Sequence, residues 1–269
     1  MIRVNRYSEE YFDKNLSTSG YNPNINFEWV NDNSGDISIF IDRKIPMMMD
    51  IITDKPKYGW LLESRTIIPE VFEWVEENSK LLSKFCEGIF TCDENLAKKK
   101  PFIYTLSNAV PWIKERAIYP KTKLVSMISS NKAWAEGHRD RLTLVEKYKH
   151  DVDLYGRGFN TVTDKIEALK DYMFSIQIEN YNFDDYFTEK LTDCFATGTV
   201  PIFYGTKNIS KYFDINGVIM LDDSFDIKQL CPELYYSKMD SIKKNFEIVN
   251  QLPTSEDYIY NNYFKNFRK

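Results

Sequence analysis

Histidine and cysteine are scarce in this sequence, at two and four residues, and glycine is low at ten in 269. The cysteines (Cys86, Cys92, Cys194, Cys231) contain no CxxC pair, so they form neither a disulfide framework nor a zinc-like ligand set with the two histidines. That usage fits a reducing compartment. No stretch approaches the roughly 20 apolar residues of a membrane-spanning helix, and the opening MIRVNRYSEEYFDKN lacks the apolar core of a secretory signal. The expectation is therefore a cytoplasmic chain. A basic excess is missing too. Net charge is -5, with 35 Lys+Arg against 40 Asp+Glu, which argues against long polyanions such as nucleic acid but leaves room for one local phosphate pocket. Neither GxxxxGK nor GxSxG occurs, and Gly156-Arg157-Gly158 is only a fragment of a dinucleotide fingerprint.

What is present suffices for a large core, with 43% hydrophobic and 15% aromatic residues. Short apolar runs alternate with helical patterns. Strands are expected at Ile37–Ile41, Tyr58–Leu62, Gly88–Thr91 and Phe102–Thr105, with a helical pattern from Val71 to Phe85. The second half repeats the alternation, with strands at Leu124–Ile128, Val152–Tyr155, Met173–Ile178, Val200–Tyr204 and Val218–Leu221. Helices are expected near 138–149, 163–171, 185–196 and 208–213. Strand–helix–strand repetition predicts an α/β fold of two Rossmann-like domains with a cleft between them. The reading divides the chain into 1–118, 119–250 and a tail, 251–269, whose aromatic and basic residues pack back on the first domain. Peripheral membrane contact is the tail's alternative role. Ligands in such sheets bind at the carboxyl ends of the strands, which directs attention to the residues just after each strand.

One segment carries most of the chemistry. After the strand Met173–Ile178 come Glu179-Asn180, a polar loop, and a helix expected to be capped by Asp184 or Asp185. Phe187, Leu191, Cys194 and Phe195 form one apolar stripe; Tyr186, Glu189, Lys190 and Asp193 form another face. A helix N-terminus at a sheet's carboxyl edge attracts anions, and Lys190 adds a full charge there. Glu189 suits sugar or ribose hydroxyls, and Tyr186 can stack or hydrogen-bond. Phosphate plus polyol describes a nucleotide sugar, although the same spacing also describes a plain solvated helix face.

The segment resembles the signature of the α-1,3-fucosyltransferase family. The matching residues are Glu179-Asn180, Asp185-Tyr186-Phe187-Thr188-Glu189-Lys190-Leu191, Gly198-Thr199-Val200-Pro201 and Gly205. Upstream, Arg139 followed by Val152-Asp153-Leu154-Tyr155-Gly156 is similar to the family's arginine-to-VDxYG segment. The resemblance covers roughly residues 121–225. It implies an inverting glycosyltransferase of the GT-B type that uses GDP-fucose, with a carbohydrate acceptor as second substrate. It also implies that Arg139 and Lys190 hold the diphosphate while Asn180, Tyr186 and Glu189 contact nucleoside or sugar. A guanidinium matches two phosphate oxygens well.

Inversion needs a carboxylate that accepts the acceptor's hydroxyl proton. Glu63 follows the expected strand Tyr58–Leu62 directly and occupies the place of the family's Glu-Ser-Pro, here Glu63-Ser64-Arg65. Glu70, Glu73 and Asp93 are weaker candidates. The pairs Asp184-Asp185 and Asp222-Asp223 lack the Asp-x-Asp spacing of metal-dependent transferases, so no essential metal or other cofactor is expected beyond the nucleotide-sugar co-substrate. Eukaryotic members of the family carry an N-terminal anchor and stem, neither of which is seen in this sequence, so a bacterial or viral type is expected. The rival readings are a different nucleotide-sugar donor and a non-catalytic binding module on the same scaffold.

Overall fold

The computed structural model describes residues 1–267 except 10–15, 20–21, 108, 132–135 and 181–184, and gives the backbone alone for 136–140. The chain divides into two compact units, Met1–Asn108 with Pro253–Lys269, and Ala109–Leu252.

The first unit holds β1 (Ile2–Tyr7), β2 (Phe27–Val30), β3 (Ile37–Ile41), β4 (Lys57–Leu61), β5 (Gly88–Thr91) and β6 (Phe102–Tyr104). All pair in parallel in the order β2-β1-β3-β4-β5-β6. Period-2 alternation assigns the faces. Ile37, Ile39, Ile41 and Trp60 enter one buried cluster, while Phe40 and Leu61 enter another with Val71, Phe72 and Val75 of α1 (Pro69–Glu77). β1 and β2 were not among the expected strands. Arg3, Asn5 and Arg6 interrupt β1, and β2 is four residues long with Glu28 inside it. The expected helix from Val71 to Phe85 breaks at Asn78, whose side-chain amide donates to the Trp74 carbonyl at 2.9 Å; α2 (Ser79–Leu82) then restarts. A last short helix, α3 (Glu94–Ala97), precedes β6.

The second unit holds β7 (Lys123–Ile128), β8 (Asp153–Tyr155), β9 (Tyr172–Ile178), β10 (Val200–Tyr204) and β11 (Ile219–Met220), all parallel, in the order β11-β10-β9-β7-β8. Helices α4 (Glu136–Tyr148) and α5 (Glu189–Thr197) lie between strands, and α6 (Pro232–Ser237) and α7 (Met239–Asn250) follow. The expected helices near 163–171 and 208–213 shrink to 3-10 turns, Lys165–Ala168 and Lys207–Lys211. Helices α6 and α7 were not anticipated; α7 buries only Ile242, Asn245 and Val249.

Residues 109–121 run along α5. The Thr192 hydroxyl donates to the Ala109 carbonyl, and Asp193 Oδ1 accepts from the Trp112 and Ile113 amides at 2.7 and 3.2 Å. Lys121 Nζ ends the stretch, bonded to the Lys170 and Thr197 carbonyls at 3.0 and 2.8 Å. These contacts set the division at 108/109, ahead of the proline-rich stretch that the sequence suggested as a linker.

Residues from 253 belong to the first unit. Helix α8 (Ser255–Ile259) and the turn after it place Ile259 and Phe264 in the cluster of Phe27, Trp60 and Phe90. Phe264 packs edge-on to Tyr58 and Phe90, with centroids 5.0 and 6.0 Å away. Asp257 accepts from the Asn26 amide at 2.8 Å, and Glu256 accepts from the Thr18 amide.

In each sheet the strand order reverses once. In the first unit β1 is followed by β2 on one side and by β3 on the other; in the second, β7 lies between β8 and β9. The crossovers at such a reversal leave on opposite faces and open a crevice at the carboxyl ends. Each unit has a cavity there. That of the first is about 70 Å³ and is lined by Ser8, Asp42, Arg43 and Glu63 among others; that of the second is about 290 Å³.

Burial pushes the Glu256 carboxyl up to about 7. Its folded value lies above its unfolded one, so its contribution is complete below about pH 4.5 and is lost as pH rises through about 7, a change of about 3 kcal/mol. Glu256→Gln, which cannot ionise, should gain stability over the natural chain between about pH 5 and about pH 8 in urea unfolding. A difference that stays constant across that range refutes the assignment.

Candidate functional site

The cavity of the second unit forms where four segments end. β7 leads into Ser129 and Ser130, β8 into Gly156 and Arg157, β9 contributes Gln177, and α5 presents Glu189, Lys190 and Asp193. Lys165, from the 3-10 turn before β9, and Arg141, from α4, complete the charged lining. Gly156 has φ +115°, and a Cβ there would collide with the Ser129 carbonyl, so this tight turn requires glycine.

The start of α5 is built on one carboxylate. Glu179, wholly buried after β9, accepts from the Thr188 amide at 2.7 Å and contacts the Thr188 hydroxyl at 2.9 Å. Thr188 caps the helix, accepting from the Lys190 amide, and Lys190 Nζ returns to Glu179 Oε2 at 3.1 Å. A second network stands beside it. Lys165 Nζ lies 2.9 Å from Glu189 and 3.1 Å from Asp193, and 4.4 Å from the centre of the Trp112 ring. Burial would raise the Glu189 carboxyl, but Lys165 and Lys190 pull it down to about 2. Asp193 is shifted upward by burial, with Lys165 opposing. Burial works against the Lys190 ammonium, yet Glu179 and Glu189 hold it above its ordinary range. Glu189 is thus held as an anion and Lys190 as a cation at neutral pH.

The expected capping role of Asp185 is corrected. The helix begins later than expected, at Glu189, and Thr188 caps it because its hydroxyl is already fixed by Glu179. Asp185 is buried with φ +66°, bonded to Lys211 at 3.0 Å and to the Tyr212 hydroxyl at 3.2 Å. Asp184 lies outside the described residues.

Of the sequence-derived site residues, Glu189 and Lys190 line the cavity. Asn180 stands at its edge, accepting from Arg141 at 3.0 Å. Tyr186 is 5% exposed and is not among the lining residues. Arg139 falls in the first turns of α4, and its side chain lies outside the described residues. Arg141, Lys165 and Asp193 were not singled out as ligand-facing. The Lys165 signal was available in Asp164-Lys165-Ile166-Glu167, a capping box that fixes a turn before β9.

Glu63 lines the smaller cavity of the first unit. Asp42, with φ +50°, accepts from the Leu62 amide at 2.8 Å and the Glu63 amide at 3.3 Å, tying the ends of β3 and β4 together. Arg65, next in the motif, is forked onto Glu76 at 3.0 and 3.1 Å and stacks on Phe72. It therefore serves α1. Among the described residues no helix is long and apolar enough to cross a membrane, and no cluster of three or more His, Cys, Asp or Glu residues could hold a metal.

The Glu179–Lys190 pair makes a stability prediction. Lys190→Met leaves a buried carboxylate without its cation and should cost about 3–5 kcal/mol in urea unfolding. Adding Glu179→Gln should restore more than half of that loss. Equal destabilisation of single and double variants would instead assign Lys190 a packing role.

The model of glycosyltransferase family 10 (fucosyltransferase), C-terminal part, matches residues 118–265, more than half of the chain. A putative fucosyltransferase-like protein of Arabidopsis thaliana is 34% identical over 100 residues, 35% of this chain and 20% of that protein. The 4-galactosyl-N-acetylglucosaminide 3-alpha-L-fucosyltransferase 9 of Bos taurus is 29% identical over 130 residues, 46% of this chain and 32% of that enzyme. The chain thus spans less than a third of the length of these relatives. A solved alpha1,3-fucosyltransferase with GDP superposes with a TM-score of 0.52, covering 94% of this chain and 82% of that one at 12% identity. The same enzyme type with GDP-fucose gives 0.50 at 13%. These likenesses show the fold, two Rossmann-like α/β domains of the GT-B type, and the family-model match shows the lineage. The chain belongs to glycosyltransferase family 10, the fucosyltransferases.

Proposed function

We propose that this chain is an inverting glycosyltransferase that transfers fucose from GDP-fucose to a hydroxyl group of a glycan, without an essential metal. The observation that carries the reading is the cavity at the β7/β9 reversal, which Lys190, Lys165 and Arg141 line together with Glu189 at the N-terminus of α5. Three cations suit a diphosphate, and an ionised carboxylate beside them suits a polyol.

In this reading Arg139 and Lys190 hold the diphosphate, while Asn180, Tyr186 and Glu189 serve the nucleoside and sugar. The acceptor hydroxyl attacks the anomeric carbon on the face opposite the diphosphate. The bond from that carbon to the phosphate oxygen breaks, the electron pair leaves with GDP, and the hydroxyl proton passes to Glu63. Fixed cations facing the leaving group act where negative charge grows, which is where preorganised electrostatics lowers the barrier most. The cytoplasmic assignment belongs to the same proposal.

Glu63→Gln should bind GDP-fucose as the natural chain does while transfer falls on the order of 10²–10⁴-fold. Retained turnover moves the base elsewhere. A thermal-shift panel of GDP-, UDP- and other nucleotide sugars tests the donor, and stabilisation by UDP-sugars alone refutes GDP-fucose. Transfer should persist in EDTA, since protein cations face the diphosphate.

A further inference from the structure

Arg141 differs from Lys165 and Lys190, the two lysines that line the same cavity. It is 6% exposed and lines the cavity at the β7/β9 reversal. One terminal nitrogen donates to Asn180 Oδ1 at 3.0 Å and the other to Ser130 Oγ at 3.0 Å. Both partners are neutral. Its Nε is buried and has no hydrogen-bond partner among the described residues. Lys165 and Lys190 each hold a carboxylate at 2.9–3.1 Å, whereas no carboxylate pairs with Arg141 among the described residues. Burial alone acts on the guanidinium, lowering it from its ordinary range.

A buried charge without a counter-charge is costly to keep, and proteins usually pair or neutralise it. Here the uncompensated charge borders an open cavity, so an anion entering that cavity would supply the missing partner. The two bonds that Arg141 already makes join the loop after β7 to Asn180, the second residue after β9, across the two strand ends at the crevice. They also fix the Asn180 side chain through its carbonyl oxygen.

We propose that Arg141 is itself an anion-binding residue of this cavity: it takes the diphosphate of a nucleoside diphosphate, and through Asn180 it sets the amide that meets the nucleoside or sugar. The proposal rests on the reading of the cavity as a nucleotide-sugar site. It is separate from the assignment of Arg139, which came from the sequence motif.

Titration calorimetry of the full chain with GDP and with guanosine tests it, using Arg141→Gln, which loses the charge, and Arg141→Lys, which keeps the charge but loses the fork. Arg141→Gln should weaken GDP by about 30-fold or more while guanosine changes less than about twofold, and it should flatten the salt dependence of GDP binding. Arg141→Lys should lie between, at roughly 3- to 10-fold. Equal weakening of GDP and guanosine by Arg141→Gln would make the residue purely structural, and unchanged GDP affinity would overturn the proposal directly. Should Arg141→Gln fail to fold, Arg141→Lys decides: selective weakening of GDP supports the proposal, and parallel loss of GDP and guanosine refutes it. If the natural chain binds UDP and not GDP, the guanosine donor falls, and the same comparison with UDP and uridine still tests Arg141. A chain that binds no nucleoside diphosphate refutes both readings.

Discussion

The candidate site depends on one buried carboxylate. Glu179 leaves the end of β9 and meets the start of α5 through the Thr188 amide, the Thr188 hydroxyl and the Lys190 ammonium. An anion at that position satisfies a helix N-terminal donor and compensates a cation at once. It also sets where α5 begins, and hence which residues face the cavity. Since the helix starts at Glu189, Glu189, Lys190 and Asp193 line the pocket while Leu191, Cys194 and Phe195 enter the core. A Cβ on Gly205 would collide with the Phe203 ring and fall 3.1 Å from the Glu179 Cγ, so the residue after β10 must be small.

The lysines of the cavity lining are held in ion pairs. Lys190 rests on Glu179 and Lys165 on Glu189 and Asp193, so both cations are already compensated. Such pairing limits the desolvation cost of burying several like charges together. Average charge hides this arrangement. A chain of net charge -5 gathers Arg141, Arg157, Lys165 and Lys190 around one crevice.

Much of the fold was legible because parallel strands buried on both faces read as continuous apolar runs. Met173–Ile178 and Val200–Tyr204 are such runs, and both emerged as strands close to the expected bounds. The strands that escaped, β1 and β2, carry polar residues whose partners lie far along the chain: the Asn5 side chain bonds Ser38 and the Gly35 amide. Local sequence cannot report such bonds. The site was legible where a motif fixed it, at Glu179, Glu189 and Lys190. Arg141 and Lys165 were not, since their roles come from the strand order, which brings the ends of β7, β8 and β9 to one crevice. Asp185 misled for a related reason. Its capping chemistry is genuine, but Lys211 and Tyr212 claim the carboxylate from elsewhere.

The core of the first unit is assembled from distant parts of the chain. Ile2, Phe27 and Trp60 share a cluster with Ile259 and Phe264, whereas the second unit is continuous from 109 to 252. During synthesis the strands of the first sheet emerge long before the aromatic ring that covers them. The second unit can bury its own apolar surface as soon as its last helix appears, and the first must wait for more chain. The entropy of joining its two parts grows only slowly with the intervening length, so the delay is mainly a matter of timing. In that interval Tyr58 and Phe90 lack the cover of Phe264, leaving an apolar face that is open to premature association.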